Sequence, residues 1–173
     1  MAASASGSLV AGTPAPDFTL LDQNEAPWAL AEQRGRYVLV YFYPKADTPG
    51  CTTQACSVRD AAPELPEDLV VVGVSPDAPS KQAKFAAKYE LGFPLLSDTD
   101  HAVADMYGAW GERSMYGRKF MGMIRSAALV GPDGNVVAHW PKISPKDTVP
   151  KALAAVLANK INNVANVANG DTY

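Results

Sequence analysis

The chain is short of the side chains from which many enzymes build their sites. Its 173 residues hold two cysteines, Cys51 and Cys56, and two histidines, His101 and His139. Two cysteines do not make the disulfide framework that staples a small secreted domain. A zinc site would have to draw on both histidines, and two ligands so far from the cysteines and from each other are poor ligand spacing, so no metal is expected. No apolar run approaches the roughly 20 residues that cross a bilayer. No block of lysine and arginine stands out, and the net charge is -3, which argues against a nucleic-acid partner. The N-terminus lacks the basic start and apolar middle of a secretory signal and the arginines of a transit peptide, so the expected location is the cytoplasm.

What remains is an ordinary globular composition, 47% hydrophobic and 19% charged, of a size for one domain. Residues 1–11 read as a flexible leader, 12–160 as the domain and 161–173 as a polar, asparagine-rich tail. Tyr37 to Tyr43 is apolar or aromatic without alternation, the mark of a strand buried on both faces, and Leu69 to Val74 repeats it. Helices are expected from Pro49 or Cys51 to Ala62, Ser80 to Tyr89 with Ser80 as cap, Thr99 to Tyr107 and Thr148 to Asn159. Short strands are expected at Phe18 to Leu21 and Phe93 to Leu96, the latter's proline marking an edge or a strand start. Ile124 to Val130 and Asn135 to Trp140 flank Gly131-Pro132-Asp133-Gly134 as an antiparallel hairpin, and Tyr116 to Met123 reads as an apolar loop. The order implies an α/β protein with a thioredoxin-like fold, a mixed central sheet with helices on both faces.

Both cysteines sit in Thr48-Pro49-Gly50-Cys51-Thr52-Thr53-Gln54-Ala55-Cys56, directly after the first buried strand. Cys51 is thereby placed at a helix start, where backbone N–H groups and the macrodipole favour a thiolate. Thr48 suits the cap, Pro49 the first turn, and Gly50 a close approach of backbone to a ligand. A free thiol is only ~3% ionised at pH 7, so full ionisation gains at most ~30-fold. Enzymes supply ~10⁶-fold or more, so further donors must stabilise the transition state. On a helical wheel Cys51, Ala55, Val58 and Ala62 share a buried stripe, whereas Cys56 points ~140° away, toward solvent. In an intact helix the two Cα atoms stand ~8.6 Å apart, beyond the roughly 7 Å limit for a disulfide. The pair bridges only if the helix start unwinds.

These residues resemble the peroxiredoxins, and within them the bacterioferritin comigratory protein or peroxiredoxin Q subfamily. The likeness is carried by Tyr41-Phe42-Tyr43-Pro44-Lys45, Thr48-Pro49-Gly50-Cys51-Thr52, Ala55-Cys56, Arg59-Asp60, Ala15-Pro16-Asp17-Phe18, Gly73-Val74-Ser75 and Arg125. The resemblance implies a thiol peroxidase for hydrogen peroxide and organic hydroperoxides. Cys51 matches the peroxidatic cysteine that becomes a sulfenic acid, and Cys56 the resolving cysteine that closes an intramolecular disulfide. Thioredoxin or a similar dithiol would recycle it. Thr48 and Arg125 match the groups that bond peroxide and thiolate, and Pro44 the residue that shields the sulfur. It also implies a monomer and no cofactor, since the sulfur carries both electrons. Gln54 departs from a glutamate common among relatives. Two other readings stay open: a dithiol switch, although such proteins usually show C-x-x-C, and a one-cysteine peroxidase in which Cys56 is idle. Arg59 either braces Arg125 or faces solvent.

Overall fold

A computed structural model describes residues 9–168. Its main sheet has seven strands: β1 (Thr19–Leu21), β2 (Pro27–Ala29), β3 (Tyr37–Phe42), β4 (Leu69–Ser75), β5 (Leu95–Ser97), and, after a separate hairpin of β6 (Trp110–Met115) and β7 (Arg118–Met123), β8 (Ser126–Val130) and β9 (Val136–Trp140). The helices are α1 (Pro49–Ala61), α2 (Pro79–Tyr89), α3 (Ala102–Met106) and α4 (Thr148–Ala168). Strand order is β2-β1-β5-β4-β3-β8-β9. β3, β4 and β5 run parallel, and β8 joins β3 antiparallel, which makes the sheet mixed as expected.

The absence of alternation in β3 has its explanation in the two cores. Tyr37, Leu39, Tyr41 and Tyr43 pack with Cys51, Ala55 and Val58 of α1, Phe85 of α2, and Val149, Ala152 and Val156 of α4. Val38, Val40 and Phe42 pack on the other side with Val103 and Ala104 of α3 and with Phe18, Tyr107 and Met123. Successive side chains leave a strand on opposite faces, so a strand covered twice must be apolar at every position.

The register places the site. Phe42 pairs with Ser126 across β3 and β8, and with Val74 across β3 and β4. The chain leaving β3 toward α1 therefore lies beside the residue that precedes β8, which is Arg125.

Several elements differ from the sequence-based expectation. Residues 116–123 are not a loop but belong to the β6–β7 hairpin, turned at Tyr116 and Gly117 with φ of 52° and 77°. A two-residue turn with both φ positive is the hairpin turn that matches strand twist. A tyrosine in place of asparagine, and strands such as Trp110-Gly111-Glu112-Arg113 without clean alternation, hid it. Arg125 stands just outside β8 rather than within a strand. Pro94 marks a strand start and not an edge, because β5 lies between β1 and β4. The cap position of α2 is Ala78, not Ser80. α1 ends at Ala61, and Ala62 is exposed in a following 3-10 turn, so the buried stripe stops at Val58. α4 continues to Ala168, through most of the stretch expected as a tail; residues 169–173 lie outside the described residues, as do 1–8 of the leader. The leader's next residues are bonded to the domain, with Leu9 N–H donating to His139 Nδ1 and Gly12 N–H to the Val136 carbonyl.

The parallel pair β3–β4 tolerates no side chain at Gly73. A Cβ there would lie 2.9 Å from the Tyr41 ring end and hydroxyl and 3.0 Å from Tyr43. Gly73→Ala is expected to destabilise the fold by about 1–3 kcal/mol through overpacking. Urea unfolding would show this as a lower midpoint at unchanged slope.

Candidate active site

The sulfur of Cys51 sits in the first turn of α1, in the third helical residue after Thr48 at the cap position. The ladder begins with Thr52 N–H donating to the Thr48 carbonyl. The backbone N–H groups of Gly50 and Cys51 thus precede the ladder, where a helix presents positive potential. Cys51 is 1% exposed, so only a small molecule reaches the sulfur. Cys56, one turn and a half further on, is partly exposed, and both cysteines are free thiols.

Arg125 supplies the cation. Its Nη2 donates to Cys51 Sγ at 3.4 Å, and its Nη1 donates to Gln54 Oε1 at 2.6 Å. Gln54 Nε2 in turn donates to Thr148 Oγ1 at 2.9 Å, and Thr148 Oγ1 donates to the Ser144 carbonyl at 2.9 Å. Gln54 and Thr148 are both fully buried. Gly50 proves to be small for the arginine's sake: a Cβ there would lie 2.9 Å from Arg125 Nη2.

The loop between β3 and α1 is anchored from below. Ala46 N–H donates to Asp77 Oδ2 at 2.7 Å, and the same carboxylate oxygen accepts from Ser75 Oγ at 2.8 Å. Gln82 Nε2 donates to Ser75 Oγ at 2.8 Å, while its Oε1 accepts from the Tyr43 hydroxyl. A buried polar network whose members are all paired fixes a single loop geometry. At the loop's outer side Asp47 adopts a positive φ of 58° and bonds Lys88 Nζ at 2.9 Å and the Tyr89 hydroxyl at 2.8 Å. Those two bonds, Lys88 first, hold its carboxyl below the ordinary range. Behind the sulfur, burial drives the phenols of Tyr41 and Tyr43 upward, so both stay neutral near it.

Thr48 occupies the cap position, but its hydroxyl makes no capping bond; it donates to the Lys45 carbonyl at 2.8 Å. With its proton so engaged, its lone pairs remain to accept. Pro44 is partly buried at the end of the strand, in the loop that leads to Thr48. Arg59 does not brace Arg125: its Nη1 donates to the Tyr89 carbonyl at 2.7 Å and its Nε pairs with Asp60. The histidines lie elsewhere. His101 pairs with Asp105 and stacks on Trp110, and among the described residues no cluster of three histidine, cysteine or acidic side chains could hold a metal. Two cavities of about 550 and 600 Å³ lie apart from the sulfur, one by Gly131 to Val137, the other by Arg59, Leu65 and Phe93.

Thus Cys51 and Arg125 meet across 74 positions of sequence, with Thr48 and Pro44 in the adjoining loop. Gln54 and Thr148 are the partners that sequence reasoning did not assign. Gln54 could have been found as a polar residue three positions after Cys51, on the apolar side of the helix. Thr148 carries no local signal, because its partner is 94 residues away.

A model of the AhpC/TSA family matches residues 11–139. The chain belongs to the AhpC/TSA family, as a peroxiredoxin. It is 51% identical over 140 residues to a putative peroxiredoxin Bcp of Haemophilus influenzae, covering 80% of this chain and 90% of that one. It is 40% identical over 143 residues to peroxiredoxin Bcp of Bacillus subtilis, covering 82% and 91%. Among solved structures, the bacterioferritin comigratory protein of Xanthomonas campestris, described for its alkyl peroxide reduction activity, aligns with a TM-score of 0.79 at 32% identity. That alignment covers 87% of this chain and 99% of that one. The peroxiredoxin is therefore a peroxidase with the thioredoxin-like fold, and its chemistry pairs a peroxide with a thiol reductant.

Gly50→Ala separates catalysis from stability. An added methyl group displaces the guanidinium, while alanine is a better helix former by up to about 1 kcal/mol. The expected result is a peroxide reaction slowed about tenfold or more, as when a donor is moved off the reacting atom. The melting temperature should be unchanged or raised. Stopped-flow oxidation and thermal unfolding on the same sample check both.

Proposed function

We propose that this peroxiredoxin reduces hydrogen peroxide and organic hydroperoxides through a sulfenic acid on Cys51, closes a disulfide with Cys56, and is recycled by thioredoxin or a similar dithiol. The observation that carries this reading is Arg125 Nη2 at 3.4 Å from a sulfur that stands, 1% exposed, in the first turn of α1. A guanidinium and a helix N-terminus both favour the thiolate, and burial limits access to small oxidants.

In the first step the Cys51 thiolate attacks one peroxide oxygen. An S–O bond forms, the O–O bond breaks, and the leaving oxygen departs as water or an alcohol after taking a proton. Arg125 and the N–H groups at the helix start stabilise negative charge as it passes from sulfur to the leaving oxygen. Thr48, whose hydroxyl donates to Lys45, offers lone pairs to the peroxide's proton and so orients it. Pro44 keeps water from the sulfur. In the second step Cys56 sulfur displaces the hydroxyl of the sulfenic acid, releasing water and forming the S–S bond. A dithiol then reduces that bond by exchange, becoming a disulfide itself. The cycle needs no other cofactor, works within one chain, and suits a reducing compartment such as the cytoplasm.

Both cysteines lie in α1, so the second step demands that the helix between them open. Cys56 is already partly exposed, whereas Cys51 must leave the core it shares with Tyr43 and Ala55.

Cys51→Ser is expected to abolish peroxide consumption, whereas Cys56→Ser keeps the first oxidation and loses turnover with thioredoxin. Peptide mapping after one equivalent of peroxide should find Cys51 joined to Cys56; a lone oxidised Cys51 would leave Cys56 idle. No turnover with any hydroperoxide would favour the dithiol switch. Arg125→Ala should slow the first oxidation about 10²- to 10³-fold, the loss seen when one donor to a developing anion is removed. Amide exchange should show Thr52 to Ser57 protected in the reduced protein and open in the oxidised one. Equal protection in both would rule out the opening of α1.

A further inference from the structure

The chain of bonds from Ser144 to Cys51 has a direction, and the residues on either side of Gln54 set it. Arg125 has only donors, so the end of Gln54 that faces it must be the carbonyl oxygen. An amide can turn end for end, however, and the turned form would set its NH₂ group against the guanidinium. The atom on the far side makes the same selection. Thr148 Oγ1 gives its proton to the Ser144 carbonyl, and so toward Gln54 it presents lone pairs alone. It accepts from Nε2 at 2.9 Å and could serve a carbonyl in the same place only by giving up its bond to Ser144.

We propose that Thr148 is a positioning residue for the peroxide reaction: its hydroxyl fixes the orientation of the Gln54 amide, and Gln54 thereby holds the Arg125 guanidinium against the Cys51 sulfur. The proposal rests on the reading of Cys51 and Arg125 given above and extends the site to the first residue of α4, which touches neither sulfur nor guanidinium. Both linking side chains are fully buried, so water does not take over the lost bond. Valine has threonine's shape without its hydroxyl, and in its presence neither end of the amide is preferred by the far side. The amide is then oriented by Arg125 alone, with its NH₂ buried and unpaired, and it shifts or turns toward another acceptor and draws Arg125 off the sulfur.

The test compares the full-length wild-type protein with Thr148→Val and Thr148→Ser, and repeats the valine change in a Gln54→Glu background. Two quantities are read: the single-turnover rate of Cys51 oxidation by hydrogen peroxide, and the pH midpoint of Cys51 alkylation by iodoacetamide, resolved by peptide mass. Thr148→Val should slow oxidation about ten- to a hundredfold, the range for misplaced catalytic groups, and move the alkylation midpoint to higher pH, because the thiolate loses its cation. Thr148→Ser should restore both. A carboxylate has the same atom at each end, so with Gln54→Glu there is no orientation to lose. There the valine change should alter the rate by less than about twofold, a strong departure from additivity. Equal fold losses in the two backgrounds would make Thr148 merely structural and overturn the proposal, as would a wild-type rate and midpoint in Thr148→Val. Thr148→Ala takes the place of the valine variant if that protein does not fold. A wild-type protein inert to peroxide would sink the peroxidase reading instead, and the alkylation midpoints would still decide the role of Thr148.

Discussion

The site depends on holding a guanidinium against a buried sulfur without spending the guanidinium's charge on anything else. Arg125 has two bonds to α1, one to Cys51 and one to Gln54, and the second partner is neutral. A carboxylate at that position would pair with the arginine ionically and compete with the thiolate for its charge. An amide oxygen accepts the bond and leaves the full positive charge to the sulfur. Once Cys51 ionises, the half-buried pair is neutral overall, which lowers the cost of a charge on the buried sulfur. The cost of this arrangement is orientation, because an amide, unlike a carboxylate, has a wrong way round.

The sheet's register solves the harder problem of bringing the parts together. Cys51 and Arg125 lie far apart in sequence, yet Cys51 stands in the first turn of the helix that follows β3 and Arg125 directly precedes β8. Pairing Phe42 with Ser126 brings the loop that leads to Cys51 beside Arg125. The rest is fine adjustment. Asp77, Ser75 and Gln82 set the loop after β3, and Gly50 clears the space into which the guanidinium projects. Loops anchored to a buried polar network hold a geometry that loops on the surface do not.

How much of this the amino-acid order discloses depends on the range of the interaction. Tyr37 to Tyr43 declares itself as a doubly covered strand because burial on both faces writes itself into consecutive residues. Cys51 declares itself through Thr48, Pro49 and Gly50, which are local features of a helix start. The β6–β7 hairpin stayed hidden because its turn uses Tyr116 where the usual signal is asparagine, and its strands stand apart from the main sheet and meet the core only at the Trp110–Met123 end, too little to impose alternation. Ser80 had the right chemistry for a cap but stood inside the helix, since Pro79 takes the first turn. Gly50 was legible as a close approach, and the structure shows that what approaches is Arg125. Thr148 could not be read at all, because a threonine at a helix start looks like any other, and its meaning lies in Gln54 on a different helix.

The helix start that favours a thiolate also stands in the way of the proposed disulfide, and Gln54 lies between the two cysteines. To bring Cys51 to Cys56 the segment from 51 to 56 must leave its helical path, and Gln54 goes with it. That motion breaks two bonds of Gln54 at once, the buried one to Thr148 and the half-buried one to Arg125, the latter to a charged group and worth about 1.5–3 kcal/mol. The open form of the proposed cycle therefore gives up the place of Arg125 against the sulfur. While the cysteines are thiols, those bonds favour the closed helix and a sulfur ready for oxidant. In the proposed cycle the S–S bond must outweigh them after oxidation, and reduction lets them form again. The bonds that place Arg125 are thus also bonds that return the helix to its working state, so weakening them should slow reactivation as well as attack.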